Sequence, residues 1–416
     1  MSIFGSSAVR RPLSQSRTSG RRHRPDYMLV MLCSILMVIG LVVIYAISPA
    51  LSIQKQVSEN YFVSKQLIAI VLGLVVFVAT ANLPISYWRQ LKNPLIIAAG
   101  VAAVAVRLFG ERVNGAYRWI QIGGLSFQAV ELIKFTLMIW LAMFLADRLR
   151  DGTINSNQDV FRKLLAVLII LGIVVGILQS DLGSLGVIVA MMASICFVAG
   201  LPLKRVFIIG GIIAIGVVML ISTSTYRRDR LLTYLHPQRD CQGAGYQACQ
   251  AVISVGSGGL FGKGLGRGVQ GFGYVPEAAN DSIFAIYSEK FGFIGVVALL
   301  CIFMVLFTRL KNIMERTTDN FSQFIVAGVL AWLSIQTVIN IGAMIGLLPL
   351  KGITLPFISY GGTSIIFITA AVGIVFNISR YTDLSPNLIA ERGSYDNSGQ
   401  RRRVRRPHHA YLSRRP

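Results

Sequence analysis

Apolar positions in this chain cluster into long blocks separated by short polar punctuation. Runs of spanning length occupy residues 27–48, 62–82, 92–109, 129–147, 163–179, 184–201, 205–222, 284–308, 322–347 and 363–380. Each approaches the roughly 20 residues a helix needs to cross the hydrocarbon core of a bilayer. The third and fifth are short. The pattern predicts an all-α polytopic membrane protein with about ten transmembrane helices. One polar stretch breaks the rhythm: residues 223–281, between runs seven and eight, are too long and too charged to be a simple turn. A second irregular segment, Gly346 to Ser364, holds two prolines, four glycines and one charge, Lys351, around Leu355, Phe357 and Ile358. Its apolar content predicts a segment that dips back among the helices.

Composition agrees with this picture. Hydrophobic residues make up 54% of the 416 positions and charged residues only 14%, well under the level of soluble domains. The first run lacks a small-x-small cleavage site, so it reads as a retained span. The formal charge of +22 raises nucleic acid as a partner, but half of it sits in two tails, +5 over residues 1–26 and +6 over residues 380–416. Basic tails flanking apolar spans mark the cytoplasmic side, which argues against nucleic-acid binding. We therefore expect disordered basic tails at 1–26 and 384–416 around a membrane domain at 27–383.

Short loops rich in Arg and Lys (Arg89, Lys92, Arg148, Arg150, Arg162, Lys163, Lys204, Arg205, Arg309, Lys311, Arg316) fall on one side of this arrangement, with both termini. That side is expected to be cytoplasmic. The 223–281 loop then lies outside, although it carries Arg227, Arg228, Arg230, Arg239, Lys263 and Arg267. Long translocated loops tolerate such charge; an anionic substrate outside the membrane would also account for it. No internal repeat of the kind common in secondary transporters is visible.

Several groups of residues are candidates for chemistry. Arg112, Arg118 and Trp119 lie near a membrane boundary, where tryptophan often serves only as an anchor. Glu131 and Lys134 stand one helical turn apart in an apolar span, as a structural pair or as part of a site. Asp181 sits at a span boundary, either as a cap or as a carboxylate lining the site. Nine glycines fall between Gly256 and Gly273. They match neither a P-loop, since no Ser or Thr follows Lys263, nor a dinucleotide fingerprint, since no βαβ unit surrounds them. They do supply backbone N–H groups able to approach phosphate closely. After Pro276, a helix would place Glu277 and Asp281 on one face at i,i+4. Its N-terminus favours ionised carboxylates while burial raises their pKa, a conflict that yields a general base. Lys351 is placed to meet a phosphate or to snorkel. Histidine is scarce, with only His236 outside the tails, and the cysteines form no CxxC pattern, so a triad or a zinc site lacks material.

The chain resembles the SEDS family of bacterial cell-wall polymerases from about Asp26 to Asp383. The resemblance rests on NGAYRW, QSDLG, GYQACQ with GSGGLFGKGLG, VPEAANDSIFAIYSEKFGFIG and GLLPLKGITLPFISYGGTS. GLGRGVQ and PEA are nearer the family's division branch than its elongation branch. The resemblance implies a ten-helix bundle whose large extracellular loop joins helices seven and eight. It also implies polymerisation of lipid II through β-1,4 bonds with release of undecaprenyl pyrophosphate, and a class B penicillin-binding protein as partner, among other division proteins at the septum. The family's essential aspartate falls on Asp281, and its other conserved positions fall on Trp119, Glu131, Lys134, Asp181 and Lys351. QAVE, QSDLG and PLKG depart from the family wording, Asn280 replaces a threonine, and Lys290 replaces a second acid.

On this basis Asp281 is expected to take the proton from the acceptor sugar's 4-hydroxyl. Arg112, Arg118, Arg230, Lys263 or Lys351 would offset the leaving pyrophosphate, with a divalent cation as a possible helper. A lipid flippase and a non-catalytic division scaffold are the rival readings. Cys241 and Cys249, which are not part of the family pattern, share an external loop in an oxidising setting; a disulfide between them and two free thiols are both open readings.

Overall fold

The computed structural model describes residues 23–113, 116–122, 125–154, 158–202, 211, 216, 241–243 and 245–382. These belong to one compact unit ending at Thr382. The expected seventh run at 205–222, Arg230 and both basic tails lie outside the described residues, apart from 211, 216 and 23–26.

The other nine runs form helices. They are α1 (Tyr27–Lys55), α2 (Tyr61–Asn82) and, after the short connecting helix α3 (Ile85–Gln90), α4 (Lys92–Phe109) and α5 (Ala129–Arg150). Next come α6 (Gln158–Leu171), which continues as a π-helical stretch over Gly172–Leu178, and α7 (Leu182–Val198). Beyond the large loop lie α9 (Ile283–Arg316), α10 (Asn320–Met344) and α11 (Gly362–Ser379), while α8 (Tyr246–Ser257) belongs to the loop itself. Among the described residues, eight helical segments are long and apolar enough to cross a membrane, and α7 falls just short at 17 residues. Burial explains how they are arranged. α5, α10 and α11 are buried on most faces and form the centre, as helices apolar all round must. α2 and α4 turn Val71, Val75, Ile97, Val101 and Val104 outward, and α9 does the same with Phe293, Val297 and Met304. Such outward apolar surface is stable against lipid.

The helical expectation needs one addition. Three strands, β1 (Glu111–Val113), β2 (Ala116–Ile122) and β3 (Leu125–Gln128), form an antiparallel sheet in that order. Trp119 pairs with Glu111 on one side and Gln128 on the other. β2 reads AYRWIQI, rich in aromatic and β-branched residues that favour strands.

Segment 353–361 is packed inside the bundle. Leu355, Phe357 and Ile358 are all buried, and the Ile358 backbone passes so close to Gly40 of α1 that a Cβ there would sit 2.5 Å from the Ile358 oxygen. Gly40 lies near the middle of α1, so irregular backbone reaches the depth of a spanning helix, where protein shields it.

Candidate active site

Four connecting segments meet at one end of the bundle. Arg118 of β2 donates from Nη2 to the Ser180 carbonyl at 2.7 Å, just before α7. Gly183 of α7 packs against Lys351, whose Cβ would lie 2.8 Å from a Cβ on that glycine. Gly352, at φ +67°, completes the join. A Cβ there would lie 3.5 Å from Arg118 Nη1 and 3.7 Å from Asp281 Oδ2. Glycine suits this backbone conformation, and its bare Cα leaves the guanidinium and the carboxylate bordering one shared space.

Asp281 itself is 8% exposed. The helix expected from Pro276 starts later: residues 276–282 are turns, and α9 begins at Ile283. Glu277 has φ +52°, so it shares no helical face with Asp281. Its backbone carbonyl accepts from Asn280 and Ser282, and its carboxylate accepts from the Asn280 side chain. The turn nevertheless keeps the two acids close. Burial pushes the Asp281 carboxyl up to about 7, and the Glu277 charge adds to the rise. Hydrogen bonds from its own backbone N–H, the Gln247 side chain and the Ser282 backbone act in the opposite sense. Oδ1 of Asp281 is buried without a hydrogen-bond partner, an acceptor aimed at nothing in the protein.

The remaining candidates fall into groups. Asp181 caps α7, accepting from Ser184 N at 3.0 Å and Ser184 Oγ at 2.9 Å. This is the capping role, and it fixes the turn that receives Arg118. Glu131 and Lys134 lie inside the bundle, 3% and 1% exposed, paired at 2.7 Å. Lys263 pairs with Glu289 at 3.4 Å, and Glu289 also accepts from the backbone N–H groups of Val269 and Gln270. Lys290, the departure from the family's second acid, donates to the Leu265 carbonyl at 2.8 Å. Adjacent opposite charges on α9 thus clasp the glycine-rich loop, whose backbone crosses α9 at the kink of Gly292 (φ +65°). Trp119 is half-buried in the sheet beside Arg118, and the side chain of Arg112 lies outside the described residues.

Among the described residues no three His, Cys, Asp or Glu side chains gather to hold a metal ion.

Cys241 and Cys249 form a disulfide, which closes the turn leading into α8 and so sets the stem on which Gln247 is carried. Replacing both with serine is expected to remove roughly 2–3 kcal/mol of constraint on this loop. Limited proteolysis of 241–257 under oxidising conditions checks it: faster cleavage is expected, and unchanged resistance would contradict it. Cys33 and Cys196 are buried, as expected of packing residues, whereas Cys301 is exposed on α9.

The sequence reading missed Gln247, Gln336, Asn340 and Gly352. Its signal for the middle pair was present: two amides four residues apart in an otherwise apolar span.

Comparison with known proteins accounts for this arrangement. The FtsW, RodA and SpoVE family model, described as "Cell cycle protein", matches residues 26–384. A Saccharophagus degradans protein named "Probable peptidoglycan glycosyltransferase FtsW" is 36% identical over 361 residues, covering 86% of this chain and 92% of that one. The stage V sporulation protein E of Bacillus subtilis is 35% identical, covering 87% and 99%. Among solved structures, one described as "Structural coordination of polymerization and crosslinking by a peptidoglycan synthase complex" superposes with a TM-score of 0.69 at 27% identity, covering 86% of this chain and 99% of that one. The rod shape determining protein RodA of Thermus thermophilus superposes at 0.63 with 26% identity, covering 86% and 98%. The chain is a multi-pass membrane protein belonging to the FtsW/RodA/SpoVE family, the SEDS proteins.

Proposed function

We propose that this protein is a peptidoglycan glycosyltransferase that polymerises lipid II into β-1,4 glycan strands during cell division and releases undecaprenyl pyrophosphate. The family match and the relatives named as peptidoglycan glycosyltransferases support the activity. The observation that carries the mechanism is the buried Asp281 carboxylate, whose Oδ1 lacks a hydrogen-bond partner and whose Oδ2 borders Gly352, as the Arg118 guanidinium does from its own side. In this reading Asp281 removes the proton from the acceptor's 4-hydroxyl while that oxygen attacks the donor's anomeric carbon. The anomeric bond to the pyrophosphate breaks as the new bond forms, inverting the α-linked donor to a β product. Arg118 offsets the charge developing on the leaving pyrophosphate. Arg112, Arg230, Lys263 and Lys351 are further cations for the same task, and Trp119 and Glu277 border the substrate.

The same proposal places the site on the outer face of the bacterial cytoplasmic membrane, at the septum, with both termini in the cytoplasm and the large loop between the seventh and eighth of ten spans. Its partner is a class B penicillin-binding protein that crosslinks the strands. A neighbouring solved structure described as a synthase complex for polymerization and crosslinking supports that pairing.

The test is to incubate purified protein with lipid II, alone and with its cognate transpeptidase, and to follow strand formation. Lipid movement without new glycosidic bonds would favour a flippase; no effect on either would favour a scaffold.

A pH dependence follows. A base must be ionised, so with Asp281 raised to about 7, kcat/KM should climb as pH rises through about 7 and then level off. Stability moves the other way. The folded carboxyl holds its proton above the unfolded value of 3.8, so the folded state loses stability as pH rises from there to about 7. A kcat/KM profile with its rising limb near pH 4 would contradict the assignment.

A further inference from the structure

The Glu131–Lys134 pair is too deeply enclosed in α5 to touch substrate, yet it does not end in itself. Lys134 Nζ donates to Gln336 Oε1 at 3.0 Å, and Trp332 Nε1 donates to the same oxygen at 2.8 Å. The other end of that amide, Nε2, donates to the Thr354 carbonyl at 2.9 Å and to Thr354 Oγ1 at 3.2 Å. Lysine and the indole can only donate, and a carbonyl can only accept, so the amide has one orientation. One turn further along α10, Asn340 Nδ2 donates to the Ile353 carbonyl at 2.6 Å and to the backbone carbonyl of Asp281 at 2.7 Å. Both amides are nearly inaccessible, at 1% and 2% exposure. Asn340 Oδ1 is left buried without a partner. An amide held at the cost of its own unsatisfied oxygen marks a constraint that the two carbonyls impose.

We infer that Gln336 and Asn340 are positioning residues: they couple the enclosed Glu131–Lys134 pair to the catalytic turn by fixing Ile353, Thr354 and the Asp281 peptide from one face of α10. The inference rests on Asp281 as the base. Gln336 ties Thr354 to the ion pair, and Asn340 ties the preceding Ile353 to Asp281. Gly352, directly before these two residues, is the one bordered by Arg118 and by the Asp281 carboxylate. The guanidinium and the carboxylate are therefore set relative to one another by amides that touch neither charged group. A reacting group misplaced by about 1 Å loses on the order of a hundredfold in rate.

The test compares wild type, Asn340→Ala and Gln336→Glu as full-length purified proteins, scoring only monodisperse material, with lipid II as substrate. Gln336→Glu keeps an acceptor for Lys134 and Trp332 but withdraws the donor to Thr354. Both variants are expected to lose roughly tenfold to a hundredfold in kcat, with KM for lipid II within about threefold. The rising limb of the pH profile should also move below about 7, as the Asp281 carboxyl leaves its buried position near Glu277, across Gly352 from Arg118. A purely structural role would reduce the yield of folded protein and leave kcat and the limb of what folds unchanged. If Asn340→Ala does not fold, Gln336→Glu decides by the same readouts. A folded variant with kcat within about twofold of wild type and an unmoved limb overturns the inference. Absence of strands from the wild type would instead overturn the glycosyltransferase reading.

Discussion

Asp281→Asn is expected to abolish glycan polymerisation while leaving the protein folded. The substitution is nearly isosteric, and the Asn340 bond goes to the Asp281 backbone carbonyl, which the change does not touch. An amide cannot take a proton from a sugar hydroxyl. General-base catalysis contributes typically 10²–10⁴-fold, so turnover should fall by about that factor or below detection. Stability should hold or improve slightly at pH above about 7, because the neutral side chain avoids burying a charge. The comparison is strand formation per mole of monodisperse protein, together with the thermal midpoint of each. Lost activity with a lost midpoint would point to unfolding; lost activity at an unchanged midpoint points to chemistry.

The second large effect is on stability. Glu131 and Lys134 are both almost wholly enclosed, and Glu131 Oε2 already lacks a partner. Removing one member leaves an uncompensated charge inside the bundle. Lys134→Met should therefore destabilise the protein by roughly 3–5 kcal/mol. It also removes the ammonium from over the Trp332 ring, 4.8 Å away. Replacing both, as Glu131→Gln with Lys134→Met, should recover much of the loss, since a neutral pair of similar volume is often tolerated as well as the ions. Unfolding in detergent by heat or denaturant measures all three. A double variant no more stable than Lys134→Met would mean that the pair contributes through its wider hydrogen bonds rather than through charge balance.

How much of this was legible beforehand differs by element. The spanning helices were readable because lipid demands apolar runs of a set length, and that demand is written residue by residue. The sheet at 111–128 was not, because a seven-residue strand such as Ala116–Ile122, flanked by charged and glycine positions, resembles an amphipathic boundary segment until its partners are known. Asp281 was found through its motif, but its geometry was misread. A proline followed by two acids suggested a helix, whereas tertiary packing holds Glu277 in a left-handed turn and delays the helix to Ile283. Asp181 was read as either cap or site carboxylate, and its bonds to Ser184 make it a cap. Gln336 and Asn340 escaped notice because an isolated amide in an apolar run carries no charge to draw attention. Their partners, Thr354 and Asp281, are distant in sequence.

The account turns on whether bond formation depends on the Asp281 carboxylate. The most direct measurement is a parallel incubation of purified wild type and Asp281→Asn with lipid II, separating the products by length. The account predicts long strands digestible as β-1,4 glycan from the wild type and unreacted lipid II from the variant. Strands of equal length and yield from both would contradict it.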